Sequence, residues 1–236
     1  MKKIVLAFLG CLVMTAAISQ KVINDKNAQK RDVKNFHGIR VSNGIHLYLS
    51  QGNEEAVAVS ASSDEYINHI KTEVDNGILK IYYDHGNLPW HMEGKRLRAY
   101  VSFKAIDQLR GNSGAQVEVD GTIKSSDLNF EFTSGSSFNG RVESASLKVD
   151  QNSGAETEIS GTTGNLRVEA SSGSTFKGYD LESENCDANT SSGATLKVNV
   201  KKELTASASS GGQIYYKGSG LIRDISTSSG GEVSRR

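Results

Sequence analysis

The stretch Leu166-Arg167-Val168-Glu169-Ala170-Ser171-Ser172-Gly173-Ser174-Thr175-Phe176 decides the fold. Apolar and polar residues alternate up to a Ser-Gly pair, and an apolar residue follows shortly after it. That is the pattern of two half-buried strands joined at a tight corner. The tripeptide Ser-Gly-small occurs seven times: Ser113-Gly114-Ala115, Ser134-Gly135-Ser136, Ser153-Gly154-Ala155, Ser172-Gly173-Ser174, Ser192-Gly193-Ala194, Ser210-Gly211-Gly212 and Ser229-Gly230-Gly231. Successive glycines lie 21, 19, 19, 20, 18 and 19 residues apart. A self-similar period near 19 marks a solenoid in which each repeat is one coil.

Working outward, one apolar run follows each glycine: Val117 and Val119, Phe138, Ile159, Phe176, Leu196 with Val198 and Val200, and Ile214 with Tyr216. A second run precedes the next glycine. It comprises Leu128, Phe130 and Phe132; Leu147 and Val149; Leu166, Val168 and Ala170; Cys186, Ala188 and Thr190; Leu204, Ala206 and Ala208. Each coil is therefore expected to hold two short strands. Ser-Gly-small makes one corner, and a looser corner, often with a glycine such as Gly121 or Gly161, makes the other. Glycine suits a corner that needs positive φ, and the small residue after it points to tight stacking there. The expected fold class is all-β, a parallel β-helix of about seven short coils over residues 106–236, behind a more irregular β-rich part at 33–105. No Leu-x-x-Leu-x-Leu motif and no helical periodicity occur in the repeat. Seven equivalent serines make a corner ladder; a nucleophile would need one serine and a base.

Residues 1–19 have the pattern of a signal peptide. Lys2-Lys3 precede an apolar core from Ile4 to Ala17, too short for a good membrane span, and Ala17 and Ser19 suit cleavage before Gln20. Cys11 is not expected to carry lipid, because the apolar run continues past it through Leu12, Val13 and Met14. Residues 20–32 are expected to form a linker. The chain has 27 Lys+Arg and 27 Asp+Glu; without Lys2 and Lys3, 25 basic and 27 acidic residues remain, a net charge of −2. This balance argues against nucleic acid or anionic lipid as the main partner. Cys186 would be the one cysteine left, and it falls where other coils place leucine, so a buried inert thiol is expected.

In the first half, Asn43-Gly44 is a turn signal before Ile45, Leu47 and Leu49. Ser63-Asp64-Glu65 suits the start of a short helix carrying Tyr66, Ile67 and Ile70. Asn76-Gly77 predicts a hairpin between Lys71–Asp75 and Ile78–Tyr83. The segment Val41-Ser42-Asn43-Gly44-Ile45-His46-Leu47-Tyr48-Leu49-Ser50-Gln51-Gly52, then Glu73-Val74-Asp75-Asn76-Gly77-Ile78-Leu79-Lys80-Ile81, then the Ser-Gly coils, resembles the family described as "putative auto-transporter adhesin, head GIN domain". The resemblance covers roughly residues 33–236. It implies a right-handed β-helix through most of the chain and a secreted or envelope protein. It brings no catalytic residues. His46 departs from the family's name motif, which has asparagine after Gly-Ile.

Two places carry candidate chemistry. Glu131, Asp150 and Glu169 each lie four residues before a corner glycine, so they should stack on successive coils about 4.8 Å apart. Such a column can be a solvated charged face, a cation site or the acid–base pair of a carbohydrate-active enzyme. The solvated face is favoured, because Lys148 and Arg167 lie two residues away on the same side. The loop from Asp84 to Gly94 holds Trp90 and His91 as candidate recognition residues; Trp90 is alternatively a lid over the end of the core. The five histidines lack zinc spacing and no phosphate-binding glycine loop opens a helix, so neither metal nor cofactor is expected.

The expected function is an exported, non-enzymatic β-helix for adhesion or ligand binding at the cell envelope. Its candidate partners are a glycan or an envelope protein, with self-association through a solenoid end or face. The alternatives are a polysaccharide lyase or hydrolase using the carboxylate column, and a structural component of an envelope assembly. Enzymes usually need a cleft walled by long loops, and these coils are short and uniform.

Overall fold

Two consecutive residues with positive φ hold every corner of the repeat. Ser113 has φ +50° and Gly114 +73°, and the same pair of values recurs through Ser229 at +48° and Gly230 at +78°. The Ala115 N–H donates to the Asn112 carbonyl at 3.1 Å across this pair. Two left-handed residues closed by that bond form a type I′ turn, the turn whose twist matches flanking strands. Serine, not only glycine, therefore occupies the left-handed region. Each glycine N–H also donates to the serine carbonyl of the next corner, from Gly114 to Ser134 at 3.0 Å up to Gly211 to Ser229 at 3.2 Å. The corners form one column, as their spacing predicts. The column has an eighth member, because Gly44 donates to Ser113 at 2.9 Å and Asn43-Gly44 has φ values of +60° and +69°.

These glycines are not themselves crowded. A Cβ added at Gly114, Gly135, Gly154, Gly173, Gly193 or Gly211 would meet nothing within 4 Å. Glycine is there for its φ alone. Tightness sits one residue later: Ala115, Ser136, Ala155, Ser174 and Ala194 are buried, and a Cβ on Gly231 would lie 2.2 Å from the Ala208 carbonyl oxygen.

The computed structural model describes residues 25–86 and 94–236; the signal-peptide reading of residues 1–19 lies outside them. In chain order the elements are β1 (Gln29–Arg31), β2 (Gly38–Val41), β3 (His46–Gln51), β4 (Ala56–Ser60), α1 (Asp64–His69), β5 (Ile70–Asp75), β6 (Ile78–Tyr83), β7 (Arg98–Phe103) and β8 (Gln108–Gly111). Then come β9 (Gln116–Phe132), β10 (Ser137–Gln151), β11 (Glu156–Ala170), β12 (Thr175–Thr190), β13 (Thr195–Ala208), β14 (Gln213–Lys217), β15 (Leu221–Thr227) and β16 (Glu232–Arg235). From β9 to β13 each strand runs through most of a coil and pairs in parallel with the next. This is the all-β solenoid that the period announces. The pairing of β10 with β9 breaks near Gly140 and Ala145, so a coil has three sides rather than the two strands expected. The extra side, 141–144 in β10, buries Val142 alone among its four residues. That is too short a pattern to register as alternation.

The first layers are laid down out of order. β2 pairs in parallel with both β6 and β8, and β3 with both β7 and β9. The chain thus begins in the second layer, moves outward to build the end layer from β6 and β7, then passes back over β2 and β3 into the repeat. Antiparallel strands close that end: β5 pairs with β6 through the Asn76-Gly77 hairpin, β4 with β7, and β1 with β4. Short, charged or antiparallel edge strands are the usual protection of an open sheet edge. α1 starts at the predicted place and buries Ile67, although the Ser63 side chain makes no capping bond. At the other end β15 pairs with β13 and β16 with β14, and Leu221, Ile222 and Ile225 are exposed.

Inward residues stack into ladders. Leu128, Leu147, Leu166, Cys186 and Leu204 form one, all buried. Burial pushes the Cys186 thiol well above its ordinary range, as an inert core cysteine requires. Phe130, Phe132 and Phe138 pack with ring centroids 5.1–6.1 Å apart. Phe138 is followed in its ladder by Thr157 and then Phe176; Ile159 lies two residues further along. Gln151 occupies the slot between Phe132 and Ala170. It is 2 % exposed, and neither its amide oxygen nor its nitrogen has a hydrogen-bond partner. A buried amide without partners costs free energy.

Three substitutions test this geometry. Gly173→Ala should cost about 1–2 kcal/mol, the price of a left-handed alanine in open space. Gly161→Ala should cost about 3 kcal/mol or more, because its Cβ would sit 1.9 Å from the Val142 carbonyl oxygen and the backbone must move. Urea denaturation of both variants checks the order. Gln151→Leu should raise stability by about 1 kcal/mol, since it removes unpaired polar atoms; a lowered melting temperature would contradict that account.

Candidate functional site

Parallel pairing places Arg110, Glu131, Asp150, Glu169, Asn189 and Ser207 in one outward column. The predicted stack of Glu131, Asp150 and Glu169 is thus formed by its backbone register. Each carboxylate has a basic neighbour. Arg110 reaches Glu131 at 3.2 Å, Lys148 reaches Asp150 at 2.8 Å, and Arg167 reaches Glu169 at 2.8 Å. Arg167 also bridges to Asp187 at 3.1 Å. The bond it donates to Asp150 raises the affinity of Lys148 for its proton, and the bonds donated to Glu169 do the same for Arg167. The parallel register that stacks the acids stacks these bases beside them. Among the described residues no group of three or more His, Cys, Asp or Glu side chains is placed to hold a metal ion.

A different place stands out at the capped end. Val41 is in register with Ile81, and His46 with Arg98. The four residues 42–45 that turn the corner between β2 and β3 thus correspond to sixteen, 82–97, between β6 and β7. The end layer replaces the I′ turn with a long loop. Trp90 and His91 belong to that loop and lie outside the described residues. Its described ends line a recess of about 440 Å³ together with the neighbouring corner Asn43-Gly44.

The recess gathers Tyr83 and His85 from one end of the loop, Lys95, Arg96 and Arg98 from the other, and His46 from β3. Among the described residues no aspartate or glutamate lines it. The Lys95 ammonium sits 4.6 Å from the centre of the Tyr83 ring, a cation–π contact. His85 meets the same ring edge-on at a centroid distance of 5.0 Å. The Tyr83 hydroxyl and His85 Nδ1 are both buried and lack hydrogen-bond partners among the described residues. Burial raises the Tyr83 hydroxyl above its ordinary range, so it stays a donor. Arg96 has φ +47°, a left-handed conformation uncommon for a long side chain.

Beside the recess runs a stack of rings. His46 lies on Tyr48 at 4.2 Å, and Tyr48 on Tyr100 of the end layer at 5.3 Å, with interplanar angles of 21° and 15°. Tyr100 donates to Asp25 at 2.8 Å, and Arg98 approaches the same carboxylate at 3.5 Å. Burial and this bond push the Tyr100 hydroxyl up to about 12. Burial alone would raise the Asp25 carboxyl, but bonds from Tyr100, Ser60 and Asn27 hold it below the usual range. None of these ring residues could be singled out from the sequence, because the out-of-order layers bring Tyr48 and Tyr100 together across 52 residues. A second recess, on the same side further along, mixes Glu158 and Asp180 with Lys177 and Lys197; Lys177 is paired to Glu156 and lies 3.8 Å from Glu158.

The model of the family described as "Putative auto-transporter adhesin, head GIN domain" matches residues 35–220. The chain belongs to this family. Solved structures share the fold across nearly their full length. A "putative adhesin" from Bacteroides fragilis is 15% identical with a TM-score of 0.80, covering 89% of this chain and 96% of that one. A "putative adhesin" from Parabacteroides merdae is 11% identical with a TM-score of 0.70, covering 89% and 95%. A "putative lipid binding protein" from Parabacteroides distasonis is 16% identical with a TM-score of 0.68, covering 90% and 98%. At these identities the likeness speaks for the fold. No curated protein matches the chain.

If the carboxylate column is a solvated face, millimolar calcium should leave the melting temperature unchanged. Replacing Glu131, Asp150 and Glu169 together by glutamine should shift stability by at most about 1 kcal/mol, since exposed ion pairs contribute little. A calcium-dependent rise in melting temperature that disappears in the triple variant would identify a cation site instead.

Proposed function

We propose that this member of the family is an exported, non-catalytic binding protein acting in adhesion at the cell envelope, with carbohydrate as its ligand. One observation carries the reading: the regular corner is abandoned in a single layer, and there the loop ends, the recess and the ring stack converge. A solenoid presents the same surface on every coil, so recognition has to come from a departure. Pyranose rings pack their C–H faces on aromatic side chains, and Tyr48 and Tyr100 offer rigid, half-buried rings with little entropy left to lose.

The family membership supports the adhesion reading. Export is supported by the basic and apolar pattern of residues 1–19. Among the described residues no helix is long and apolar enough to cross a membrane. The non-catalytic part is supported by the column of ion-paired carboxylates, each of which already spends its charge on a neighbour. Association between copies through the edge of β15 and β16 belongs to the same reading, and the exposed Leu221, Ile222 and Ile225 support it.

A glycan array probed with the purified protein tests the ligand class. Binding to a restricted set of glycans is expected. Tyr48→Ala should weaken it about tenfold, the equivalent of roughly 1.4 kcal/mol for one lost ring contact. A folded protein that binds no glycan on the array would overturn the carbohydrate ligand.

A further inference from the structure

We propose that the recess between the ends of the β6–β7 loop binds the anionic substituent, carboxylate or sulfate, of an acidic glycan. This deepens the carbohydrate reading and rests on it. Three cationic side chains, Lys95, Arg96 and Arg98, line one recess that no acidic side chain lines among the described residues. Elsewhere on this solenoid opposite charges stand side by side, as at Lys148 and Asp150, Arg167 and Glu169, and Lys124 and Glu143. Lys95 and Arg96 form no ion pair among the described residues. Arg98 is the exception, sharing Asp25 at 3.5 Å. The surface average is near neutral, so this local excess of positive charge is the place where an anion gains most.

The second observation concerns hydrogen bonding. Tyr83 is 3 % exposed, and among the described residues neither its hydroxyl nor the buried His85 Nδ1 has a hydrogen-bond partner. Both residues line the recess. Buried polar atoms are normally satisfied, and the exceptions call for a cause. A carboxylate or sulfate supplies several acceptor oxygens, which suits a hydroxyl donor beside an ammonium and a guanidinium. Arg96 is held at φ +47°; uncommon backbone conformations of this kind concentrate at ligand-binding positions.

The third observation selects the molecule that carries the anion. The recess holds about 440 Å³, within the range of small-ligand sites. Among the described residues its one aliphatic lining residue is Leu97, itself only 8 % exposed. His46 belongs both to the recess and to the ring stack with Tyr48 and Tyr100. A saccharide could place its charge among the cations and its next ring against the aromatic stack.

The test is titration calorimetry of the full protein with three trisaccharides: a galacturonic acid trimer, a sulfated galactose trimer and the neutral galactose trimer. At least one charged trimer should bind about tenfold more tightly than the neutral one, the size of one charge-assisted hydrogen bond. That advantage should shrink as salt is raised. It should disappear in the double variant Lys95→Gln, Arg96→Asn, where asparagine tolerates the left-handed backbone, while binding of the neutral trimer persists. Tyr83→Phe supplies a second signature. It should leave the free protein as stable or slightly more so, because the hydroxyl is unpartnered, yet weaken the charged trimer several-fold. Equal affinity for charged and neutral trimers would overturn the anion site and leave the carbohydrate reading standing. A charge advantage that survives the double variant would overturn the location. Binding of phosphatidylglycerol vesicles but of no trimer would overturn the glycan in favour of a lipid headgroup. Binding of none of these probes would overturn the inference outright, and the glycan array then judges the broader reading separately.

Discussion

The hydrogen bond from each corner glycine N–H to the serine carbonyl of the next corner is the constraint on which the structure depends. It exists only because both central residues of the corner sit at positive φ, which turns the glycine amide along the solenoid axis rather than across the sheet. A parallel stack needs a fixed rise and a fixed lateral register. The seven bonds from Gly44 to Gly211 set both, at donor–acceptor distances of 2.9–3.2 Å. Once the corners are aligned, residues equally distant from them must stack. Leucine then falls on leucine inside, and acid on acid or base on base outside.

That second consequence explains why the solenoid face is electrostatically quiet. Stacking Glu131, Asp150 and Glu169 about 4.8 Å apart would be unfavourable in isolation. The register that creates the problem also places Lys148 and Arg167 in the adjacent column, and Arg110 of the preceding layer closes the column's end. Repetition therefore produces charges with their neutralising partners beside them. A ligand approaching such a face competes with an intramolecular ion pair at each step, and exposed pairs of this kind contribute little to either stability or recognition.

The repeat, its period, the inward leucines, the buried Cys186, the Asn76-Gly77 hairpin and the acidic column were all legible in the sequence, because each depends on local pattern or fixed offsets from a glycine. The third side of the coil was not, since it buries few apolar side chains, such as Ile123, Val142 and Leu181, too few in each coil to show as alternation. The reason for glycine at the corner was half legible: the need for positive φ was, but the open space around its Cβ and the left-handed serine before it were not. The order of the first layers was illegible for a different reason. Pairing of β2 with both β6 and β8 joins segments whose separation bears no relation to the period of 19, and no local signal records it. The ring stack and the cationic recess depend on that pairing, so they could not be anticipated from residue types. The long loop itself was visible as an interruption, with Trp90 and His91 as its conspicuous residues. The described residues that line the recess are the plainer ones at its two ends.

A repeat protein gains rigidity by making every layer alike, and that likeness works against a unique binding site. Specific recognition needs groups whose partners are missing, and a periodic stack supplies a partner for nearly every group. The end layer is where this requirement can be relaxed at least cost. It has a coil on one side only, so exchanging four corner residues for sixteen disturbs a single neighbouring turn rather than two. The antiparallel strands β4 and β5 hold β6 and β7 from the other side, which keeps the ends of the loop on rigid elements while its corner bonds are given up. The Tyr83 hydroxyl and Lys95, without a hydrogen-bond or ion-pair partner among the described residues, and the left-handed Arg96 all lie within this exchanged corner or at its border. Unpartnered groups such as Gln151 also occur inside the repeat, but among the described residues it is here that they coincide with an exchanged corner and a cationic recess, the surface we propose for a ligand.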